Sequence, residues 1–275
     1  MDKSKVSVIT VVYNDYRNIK KTIDNVAKQT YDNIEYIIVD GNSTDGTKDI
    51  IKENEKYITK WISEPDKGLY DAMNKGVQLA TGDWIIFRNC GDYFYHPSVI
   101  EDVFRFYQDN GEDFILCDIR YFKDYGYKDF KPNILNHHYF DAMPVNHPST
   151  FIRRTTQLKY PFRLRYKNSA DYCFFIEAFE KGAKYKYIPL ILSLFDNNSG
   201  ASTDFFDKSI KENIDILSYF KASAATINRL RKKHKIIKLK NKLRKFVPLY
   251  SVYHSYNLKK QGWVKTSTKY ILQNI

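Results

Sequence analysis

The chain contains few cysteines, and no stretch of it is long and apolar enough to span a membrane. Its cysteines, Cys90, Cys117 and Cys173, are scattered over 275 residues. An odd, dispersed set has neither the spacing of a metal site nor the character of a disulfide framework, so a reducing cytosol is the expected environment. No run approaches the ~20 apolar residues of a membrane-spanning helix, and residues 1–6 (MDKSKV) do not begin a signal peptide. We therefore expect a cytoplasmic protein.

Glycine-rich phosphate-binding loops are also missing. Neither G-x-G-x-x-G nor G-x-x-x-x-G-K-[ST] follows the first apolar run at residues 6–13. The first absence argues against a dinucleotide site of the dehydrogenase type, and the second argues against a P-loop enzyme. Any phosphate ligand must be held in another way, and carboxylates and amides are the candidates.

What the sequence does contain is an alternation of β-branched runs and helical patterns. The runs at residues 6–13, 34–40 and 84–87 each lead into polar residues, and amphipathic segments lie between them. This order predicts an α/β fold with a mostly parallel sheet and flanking helices. Gly82 and Gly182 are the expected helix stops. Open α/β sheets bind ligands at the carboxyl ends of their strands, so the polar loops there are the candidate site.

The ordered motifs of this half resemble one known family. They are VSVITVVYN at 6–14, YIIVDGNSTDGT at 36–47, GLYDAMNKG at 68–76, ATGDWIIF at 80–87 and NCGD at 89–92. The series is similar to the nucleotide-sugar-binding half of family 2 glycosyltransferases, whose fold is called GT-A. The resemblance implies transfer of a sugar from a nucleotide diphosphate donor, such as a UDP-sugar, to a hydroxyl acceptor with inversion. The subgroup it resembles most builds bacterial surface polysaccharides.

Several strand-end residues are candidate contacts of the nucleotide. Tyr13 offers an aromatic wall for a base, and Asp40 offers a hydrogen-bond acceptor at the neighbouring strand end; the resemblance implies that both contact the base. Asn14 lies beside Tyr13. Asp71 matches a position near the nucleotide in relatives, although a negative residue in the first turn of a helix is also favourable by itself.

The loop at residues 89–92 is where we expect the donor diphosphate. Relatives commonly have D-x-D or D-x-D-D there, whereas this chain has Asn89-Cys90-Gly91-Asp92 and keeps one carboxylate. Mg²⁺ is often held by one or two carboxylates together with substrate phosphates and water. We expect a weak Mn²⁺ or Mg²⁺ site centred on Asp92 with Asn89 beside it. Catalysis without a metal is the alternative.

The resemblance implies that the catalytic base is a carboxylate opening a later helix. Asp171 has that place, because it precedes the apolar residues of a helical segment. A merely favourable charge in the first turn is the alternative interpretation. The resemblance also implies that His147, just before a strand, faces the donor phosphates or the acceptor. His137 and His138 are expected at the surface.

The charge of the chain is unevenly distributed. Residues 216–275 contain 15 Lys or Arg and no Asp or Glu, whereas the first 215 residues contain 29 basic and 32 acidic side chains. Residues 226–247 have helical character, with one apolar stripe through Ile227, Leu230 and His234 and a second that includes Ile236. The change of face indicates a kink, two helices or two partners.

We predict a GT-A domain over residues 1–200, divided into a nucleotide-sugar part (1–95) and an acceptor part (96–200). A basic amphipathic helical extension then covers residues 201–275, with the boundary at the small polar cluster 197–204. Basic, aromatic and apolar residues together suit an anionic membrane surface, which fits a peripheral enzyme on the inner face of the membrane acting on a glycan or lipid-linked acceptor. A helical face packed on the first domain is the plainer alternative, and nucleic acid is the less favoured partner.

Two other functions compete with this prediction. A sugar-phosphate nucleotidyltransferase shares the α/β architecture, but it needs a glycine-rich loop with an arginine after the first strand. A non-catalytic adaptor that binds nucleic acid through its basic tail would explain the charge and leave the strand-end motifs without a role.

Overall fold

One mixed sheet with helices on both faces organises the protein. The computed structural model describes residues 3–123, 126–136, 143–196, 206–244 and 263–264. The strands are β1 (Val6–Val12), β2 (Ile34–Asp40), β3 (Lys60–Ser63), β4 (Trp84–Phe87), β5 (Tyr93–Phe94), β6 (Phe114–Lys123), β7 (Gly126–Phe130), β8 (Thr150–Arg153) and β9 (Tyr185–Asp196). The α-helices are α1 (Tyr16–Ala27), α2 (Thr47–Glu53), α3 (Leu69–Leu79), α4 (Val99–Phe106), α5 (Arg154–Lys159), α6 (Ala170–Glu180), α7 (Phe206–Tyr219) and α8 (Ala224–Arg244).

The sheet is parallel in its first half and mixed in its second. Its strand order is β3-β2-β1-β4-β8-β6-β9-β5, with β7 paired to β6. Strands β1 to β4 pair in parallel, as the alternation with helices predicts. Strand β8 is antiparallel to both of its neighbours, β4 and β6. The predicted α/β class is thus confirmed, and the parallel character belongs mainly to the half formed by residues 1–95.

Side chains alternate between two buried layers. Along β1, Ile9 and Val11 face one layer, while Val6 and Val8 face the other. The first layer is shared with α3, α6, α7 and α8, and the second with α1, α2 and α4. This period-2 burial explains why the strands read as continuous apolar runs, since both faces of the sheet are covered.

The direction of β8 brings a loop to the edge where the site is expected. The carboxyl ends of β1 to β4 meet at one edge of the sheet, since these strands are parallel. Because β8 runs in the opposite direction, its first residue lies at that same edge. The short 3-10 turn His147–Ser149, which precedes β8, therefore faces the polar loops of the parallel strands.

One predicted helix stop is confirmed and one is wrong. Gly182 follows α6 with φ +83°, a left-handed conformation that glycine adopts without strain. Helix α3 already ends at Leu79, before Gly82. A Cβ on Gly82 would lie 2.7 Å from Ser7 Oγ and 2.8 Å from the carbonyl oxygen of Lys5. Gly82 is therefore required by close packing against β1.

The first C-terminal helices share the core of the catalytic part. Ile216 and Leu217 of α7 and Leu230 of α8 are buried in the layer that also contains α3 and α6. Helix α8 is continuous over Ala224–Arg244, so the change of apolar face occurs without a break. Its first stripe packs inward through Leu230, whereas Ile236 of the second is 45% exposed. The two stripes thus have different surroundings.

The extension also touches the sheet near its end. The backbone N–H of Tyr127 donates to the carbonyl oxygen of Val264 at 2.9 Å, and Val264 N–H donates back at 2.8 Å. The boundary cluster at 197–204, together with His137 and His138, lies outside the described residues, and the division into two domains stays a prediction. Across the described ranges, no helix has the length and apolarity to cross a membrane.

Candidate active site

A carboxylate held by two aromatic side chains lies at the centre of the site. Asp171 is in the first turn of α6, and its side chain is 25% exposed. The hydroxyl of Tyr70, from the first turn of α3, donates to Asp171 Oδ1 at 2.8 Å. His147 Nδ1 lies 3.5 Å from Asp171 Oδ2. Residues from α3, from α6 and from the turn before β8 thus meet at one carboxylate.

The imidazole of His147 is built into an aromatic wall. Its ring centroid lies 5.2 Å from that of Phe87, 5.8 Å from Phe162 and 5.5 Å from Phe175. These contacts leave His147 8% exposed, and its Nε2 has no hydrogen-bond partner in the described part of the chain. The packing fixes the ring so that Nδ1 is directed at Asp171.

Hydrogen-bond donors keep Asp171 ionised. Burial alone would raise the pKa of Asp171, but the hydrogen bonds from His147, the Tyr70 hydroxyl and the Tyr172 N–H outweigh it and hold the pKa below its ordinary value. Burial and the neighbouring charge of Asp171 raise the pKa of Tyr70 well above its usual range. Tyr70 therefore remains a donor and Asp171 an acceptor at neutral pH. The Tyr172 N–H also donates to Asp171 Oδ1 at 2.9 Å. A carboxylate has about four acceptor positions, so these three donors still leave room for a substrate proton.

The loop at residues 89–92 is a tight turn fastened to β1 and α1. The N–H of Asp92 donates to Asn89 O at 2.9 Å, and Gly91 in between has φ +93°. Gly91 N–H also donates to Thr22 Oγ1 at 3.0 Å. Asp92 is 7% exposed, and Asn89 Oδ1 has no partner among the described residues. The turn lies at the edge predicted for the diphosphate.

A buried arginine lies directly before this loop. Arg88 follows β4 and has no exposed surface. Burial lowers the pKa of Arg88 to about 10, while the negative charge of Asp92 acts in the opposite direction. Arg88 is still a cation at neutral pH, and its charge and that of Asp92 act on each other.

Asp40 shapes the strand-end loops. Its carboxylate is fully buried and accepts hydrogen bonds from the N–H and hydroxyl of Ser43 and from Ser63 Oγ. Asn14, with φ +49°, accepts from Thr44 N–H at 2.8 Å. These bonds connect the ends of β1, β2 and β3. A direct contact of Asp40 or Asn14 with a base stays a prediction.

Tyr13 forms an open aromatic surface beside these loops. Its side chain is 66% exposed, and a Cβ placed on Gly41 would come within 3.2 Å of its ring and 2.5 Å of Asp66 Oδ2. Asp71 is turned away toward the start of α3, where it accepts from Lys67 N–H at 2.9 Å. Tyr13, Gly41 and Asp66 therefore lie together at one corner of this edge, and Asp71 closes the turn next to it.

Sequence reasoning did not identify Tyr70, Arg88 or Asp66. Tyr70 lies within the GLYDAMNKG motif and Arg88 lies between the strand WIIF and the loop NCGD. One signal was available for Arg88, since a charge directly after a buried strand is rarely left inside a protein without a function or partner. The contact of Tyr70 with Asp171 joins positions 101 residues apart, and local pattern gives no sign of it.

The residues of the loop fit a divalent metal only as part of a shared site. In the described ranges, no group of three or more His, Cys, Asp or Glu side chains is arranged to hold a metal ion. Asp92 offers a carboxylate and Asn89 an amide oxygen without a partner, and oxygen ligands suit Mg²⁺ and Mn²⁺. Such a set needs phosphate oxygens and water to complete it. The three cysteines are free thiols and contribute no metal cluster.

Comparison with known sequences gives a consistent family. The profile of Glycosyl transferase family 2 matches residues 7–183, more than half of the chain. An uncharacterised glycosyltransferase of Mycobacterium tuberculosis is 41% identical over 96 residues, which span 34% of this chain and 37% of that protein. A PGL/p-HBAD biosynthesis glycosyltransferase of Mycobacterium bovis is 30% identical over 217 residues, covering 74% of this chain and 80% of the relative.

Solved structures with the same fold carry nucleotide ligands. TarS from S. aureus in complex with UDP aligns with a TM-score of 0.65 at 17% identity, covering 90% of this chain and 76% of that one. Glucosyl-3-phosphoglycerate synthase from M. tuberculosis, in complex with Mn²⁺, UDP and its glucosylated product, aligns with a TM-score of 0.58 at 15% identity, covering 78% and 79%. Both the sequence match and the arrangement of the sheet lead to one conclusion: the chain belongs to glycosyl transferase family 2 and is a glycosyltransferase with a GT-A fold.

Proposed function

We propose that the protein transfers a sugar from a nucleoside diphosphate donor, a UDP-sugar in the first instance, to a hydroxyl group of a glycan or lipid-linked acceptor with inversion. The observation that carries this proposal is the carboxylate of Asp171, held by Tyr70 and His147. The turn that contains His147 is hydrogen-bonded through the Pro148 carbonyl oxygen to Arg88, the residue before the loop of residues 89–92. Family membership sets aside the two alternative predictions, a nucleotidyltransferase and a non-catalytic nucleic-acid adaptor.

The donor lies along the carboxyl edge of the parallel strands. Its base packs on Tyr13 in the corner that Gly41 and Asp66 line, where exposed aromatic surface is available. Asn14 and Asp40 keep the strand ends in place around it. Asp71 supports the turn before α3, which borders the same corner. The side chains of Asp40, Asn14 and Asp71 already accept hydrogen bonds from the protein. Selection among nucleotides therefore depends mainly on the shape of this corner and on the polar groups that have no partner in the protein.

The diphosphate lies over the loop of residues 89–92, where Asp92 and Asn89 would hold a divalent cation. When bound, Mn²⁺ or Mg²⁺ stabilises the charge that grows on the leaving diphosphate. Solved structures of the same fold include one with Mn²⁺ and UDP, which supports metal use in general. One carboxylate makes a weak site, so Asp92 and Asn89 would hold the cation only together with the phosphate oxygens of the nucleotide.

Asp171 is the general base of the reaction. As the acceptor oxygen attacks the anomeric carbon, its proton moves to Asp171, while Tyr70 and His147 hold the carboxylate in place. Direct displacement by this oxygen expels the nucleoside diphosphate from the opposite face, so the configuration of the anomeric carbon inverts. The aromatic packing of His147 prevents the base from turning away between turnovers.

The acceptor belongs to surface glycan or glycolipid synthesis. One relative, aligned over 80% of its own length, is named for PGL/p-HBAD biosynthesis, and this name supports an acceptor of that kind. The acid-free region 216–275 would bring the enzyme to the anionic inner face of the membrane, where lipid-linked acceptors are located.

Release of nucleoside diphosphate from a panel of UDP- and GDP-sugars tests this proposal. We expect one donor to yield the free nucleoside diphosphate in the presence of Mn²⁺, by slow transfer of the sugar to water in place of an acceptor hydroxyl. Incubation with nucleoside triphosphate and sugar phosphate serves as the comparison. Release of inorganic diphosphate from that mixture, with no reaction of any sugar nucleotide, would contradict the proposal.

A further inference from the structure

Arg88 is a buried cation for which the mechanism above has no role. It lies between β4 and the loop of residues 89–92 and has no exposed surface. Guanidinium groups are rarely buried to this extent without a counter-charge, because removing them from water is costly. The site beside it lacks one of the carboxylates that the resemblance implies. The buried arginine and the loop that keeps one carboxylate thus lie within one stretch of five residues, 88–92.

The guanidinium connects the two halves of the site. Nη1 donates to the carbonyl oxygen of Tyr93 at 3.4 Å, just beyond the loop, and Nη2 donates to the carbonyl oxygen of Pro148 at 3.2 Å. Pro148 follows His147, the neighbour of Asp171. The group also lies 3.9 Å from the ring centroid of Phe94, and its Nε has no partner among the described residues. Arg88 thus links the diphosphate loop to the turn that holds the base.

Its charge is opposed by one loop carboxylate. The negative charge of Asp92 acts on Arg88, so a fixed cation and a fixed anion of the loop offset each other. A loop of this kind attracts a bare cation weakly, because Arg88 repels it. The same loop tolerates a phosphate anion well, because Arg88 attracts it through a low-dielectric interior.

We propose that Arg88 is a positioning residue that makes the loop of residues 89–92 able to accept a nucleoside diphosphate without full dependence on a divalent metal. Arg88 acts by offsetting the charge of Asp92 and by fixing the loop against the His147 turn. This inference rests on the proposed function, since it assumes that a diphosphate binds at the loop. Arg88 touches no substrate, and its effect passes through the loop.

The proposal predicts opposite changes for two ligands when the charge is removed. In Arg88→Met, UDP binding in EDTA should weaken roughly tenfold, as expected for the loss of one nearby charge in a partly shielded site. Binding of Mn²⁺ alone should tighten several-fold, since its repulsion is gone. Arg88→Lys keeps the charge and should recover most of the UDP affinity in EDTA. A role in folding alone would weaken both ligands together and would not be rescued by lysine.

The experiment is titration calorimetry of full-length protein with UDP, in EDTA and in Mn²⁺, together with Mn²⁺ binding followed by electron paramagnetic resonance. Arg153→Met is the matched control, because the Arg153 guanidinium also stacks on an aromatic ring, that of Trp84 at 4.4 Å, and lies on β8 away from the loop. We expect it to leave the ratio of the two UDP dissociation constants unchanged. Arg88→Gln is a second neutral variant in case methionine prevents folding.

Three results would overturn the inference. They are an unchanged ratio of UDP dissociation constants in the neutral variants, a parallel loss of UDP and Mn²⁺ binding, and failure of both neutral variants to fold. A wild-type protein that binds neither UDP nor GDP would contradict the proposed function itself, and the role of Arg88 would then also be wrong. A weakened EDTA affinity with a tightened Mn²⁺ affinity, restored by lysine, supports it.

Discussion

At the scale of single residues, the site depends on how one carboxylate is held. Asp171 receives a hydrogen bond from Tyr70 at 2.8 Å and lies 3.5 Å from His147. A base of this kind has to be ionised and correctly oriented before the acceptor arrives, and both neighbours contribute to each requirement. The aromatic wall around His147 makes the orientation rigid.

Removal of the Tyr70 hydroxyl should change the pH dependence of turnover. Asp171 works only as a carboxylate, so turnover falls as the pH drops through its pKa. Burial raises that pKa, and His147 and Tyr70 lower it below the ordinary value. Tyr70→Phe removes one of the lowering interactions, so the acid limb of the pH–rate profile should move to higher pH, while Asp171 stays ionised at neutral pH. Tyr31→Phe removes another tyrosine hydroxyl, one that donates to the carbonyl oxygen of Ser4 at 2.7 Å in the other buried layer, and is the matched control. An acid limb that does not move in Tyr70→Phe would contradict this role.

Substitution of Asp92, the carboxylate of the loop, tests whether a metal ion binds the diphosphate. If Asp92 holds the metal–diphosphate unit, Asp92→Ala should weaken UDP binding far more in Mn²⁺ than in EDTA, because the lost interaction passes through the ion. Isothermal titration under both conditions measures this difference. Equal weakening in the two buffers would mean a direct contact with the nucleotide, and unchanged binding in both would remove Asp92 from the site.

Some of these residues were predictable from the sequence and others were not. Asp171 and His147 were each expected from the family resemblance, as a helix-opening carboxylate and a histidine before a strand, and they lie together in the structure. Tyr70 was not chosen, because 23 tyrosines give no means of selecting one. The pairing of Asp40 with Ser43 and Ser63 was also out of reach, since Ser63 comes from a different strand.

At the scale of secondary-structure elements, helix α7 supports the start of the catalytic helix. Glu212 on α7 accepts hydrogen bonds from Lys167 N–H at 3.0 Å and from Asn168 N–H at 2.9 Å. Asp215 accepts from the hydroxyl of Tyr166 at 2.7 Å. The segment that leads into α6 is thus fastened to a helix of the predicted C-terminal extension, and the position of Asp171 depends on it.

Substitution of Glu212 should test this support. Glu212→Ala leaves the two backbone donors and the Asn168 amide without their acceptor, so unfolding should become easier by about 1–3 kcal/mol. We also expect lower turnover with little change in UDP affinity, because the proposed nucleotide contacts Tyr13 and Asp40 come from strand ends that Glu212 does not bond. Chemical denaturation and steady-state kinetics measure the two effects. Lys211→Ala, at an exposed position on the same helix, is the control; equal effects of both variants would contradict the support role.

The sequence predicted the parallel half of the sheet better than the mixed half. Runs such as residues 6–13 and 34–40 are long and β-branched, and the helical segment between two such runs predicts that the strands pair in parallel. Strand β8 has four residues, and its antiparallel direction depends on partners distant in sequence. The end of α3 was misplaced because Gly82 is needed for packing against Ser7 and Lys5, a reason that no periodicity reveals.

At the scale of the whole molecule, charge is separated between the catalytic part and the C-terminal region. Residues 216–275 have 15 basic and no acidic side chains. Leu230 is buried in the core, and the face of α8 that bears Lys232, Lys233 and Lys235 is exposed. The first turns of α8 therefore complete the fold, while its other face is available to a partner. Truncation at Tyr219 would uncover the core, so charge substitution is the cleaner test of that face.

The full-length protein should bind anionic vesicles in a salt-dependent manner. Each near-surface Lys or Arg contributes ~1 kcal/mol to such binding, and screening weakens it as the Debye length falls from ~10 Å at 0.1 M to ~3 Å at 1 M salt. Replacement of Lys232, Lys233 and Lys235 by Glu should abolish sedimentation with these vesicles and leave UDP binding intact. The same change at Lys52, Lys56 and Lys60, which are exposed elsewhere, is the charge-matched control. Full-length protein that ignores anionic vesicles at low salt would end the membrane hypothesis.

The most direct test of the central claim is the behaviour of Asp171→Asn. The substitution preserves the size of the side chain and removes its ability to take a proton. With the sugar nucleotide that the wild type uses, we expect donor affinity by calorimetry to be unchanged and release of nucleoside diphosphate to fall by roughly 10²–10⁴-fold, as is typical for a lost general base. Turnover close to that of the wild type, with the same donor affinity, would contradict the assignment of Asp171 as the base and with it the proposed mechanism.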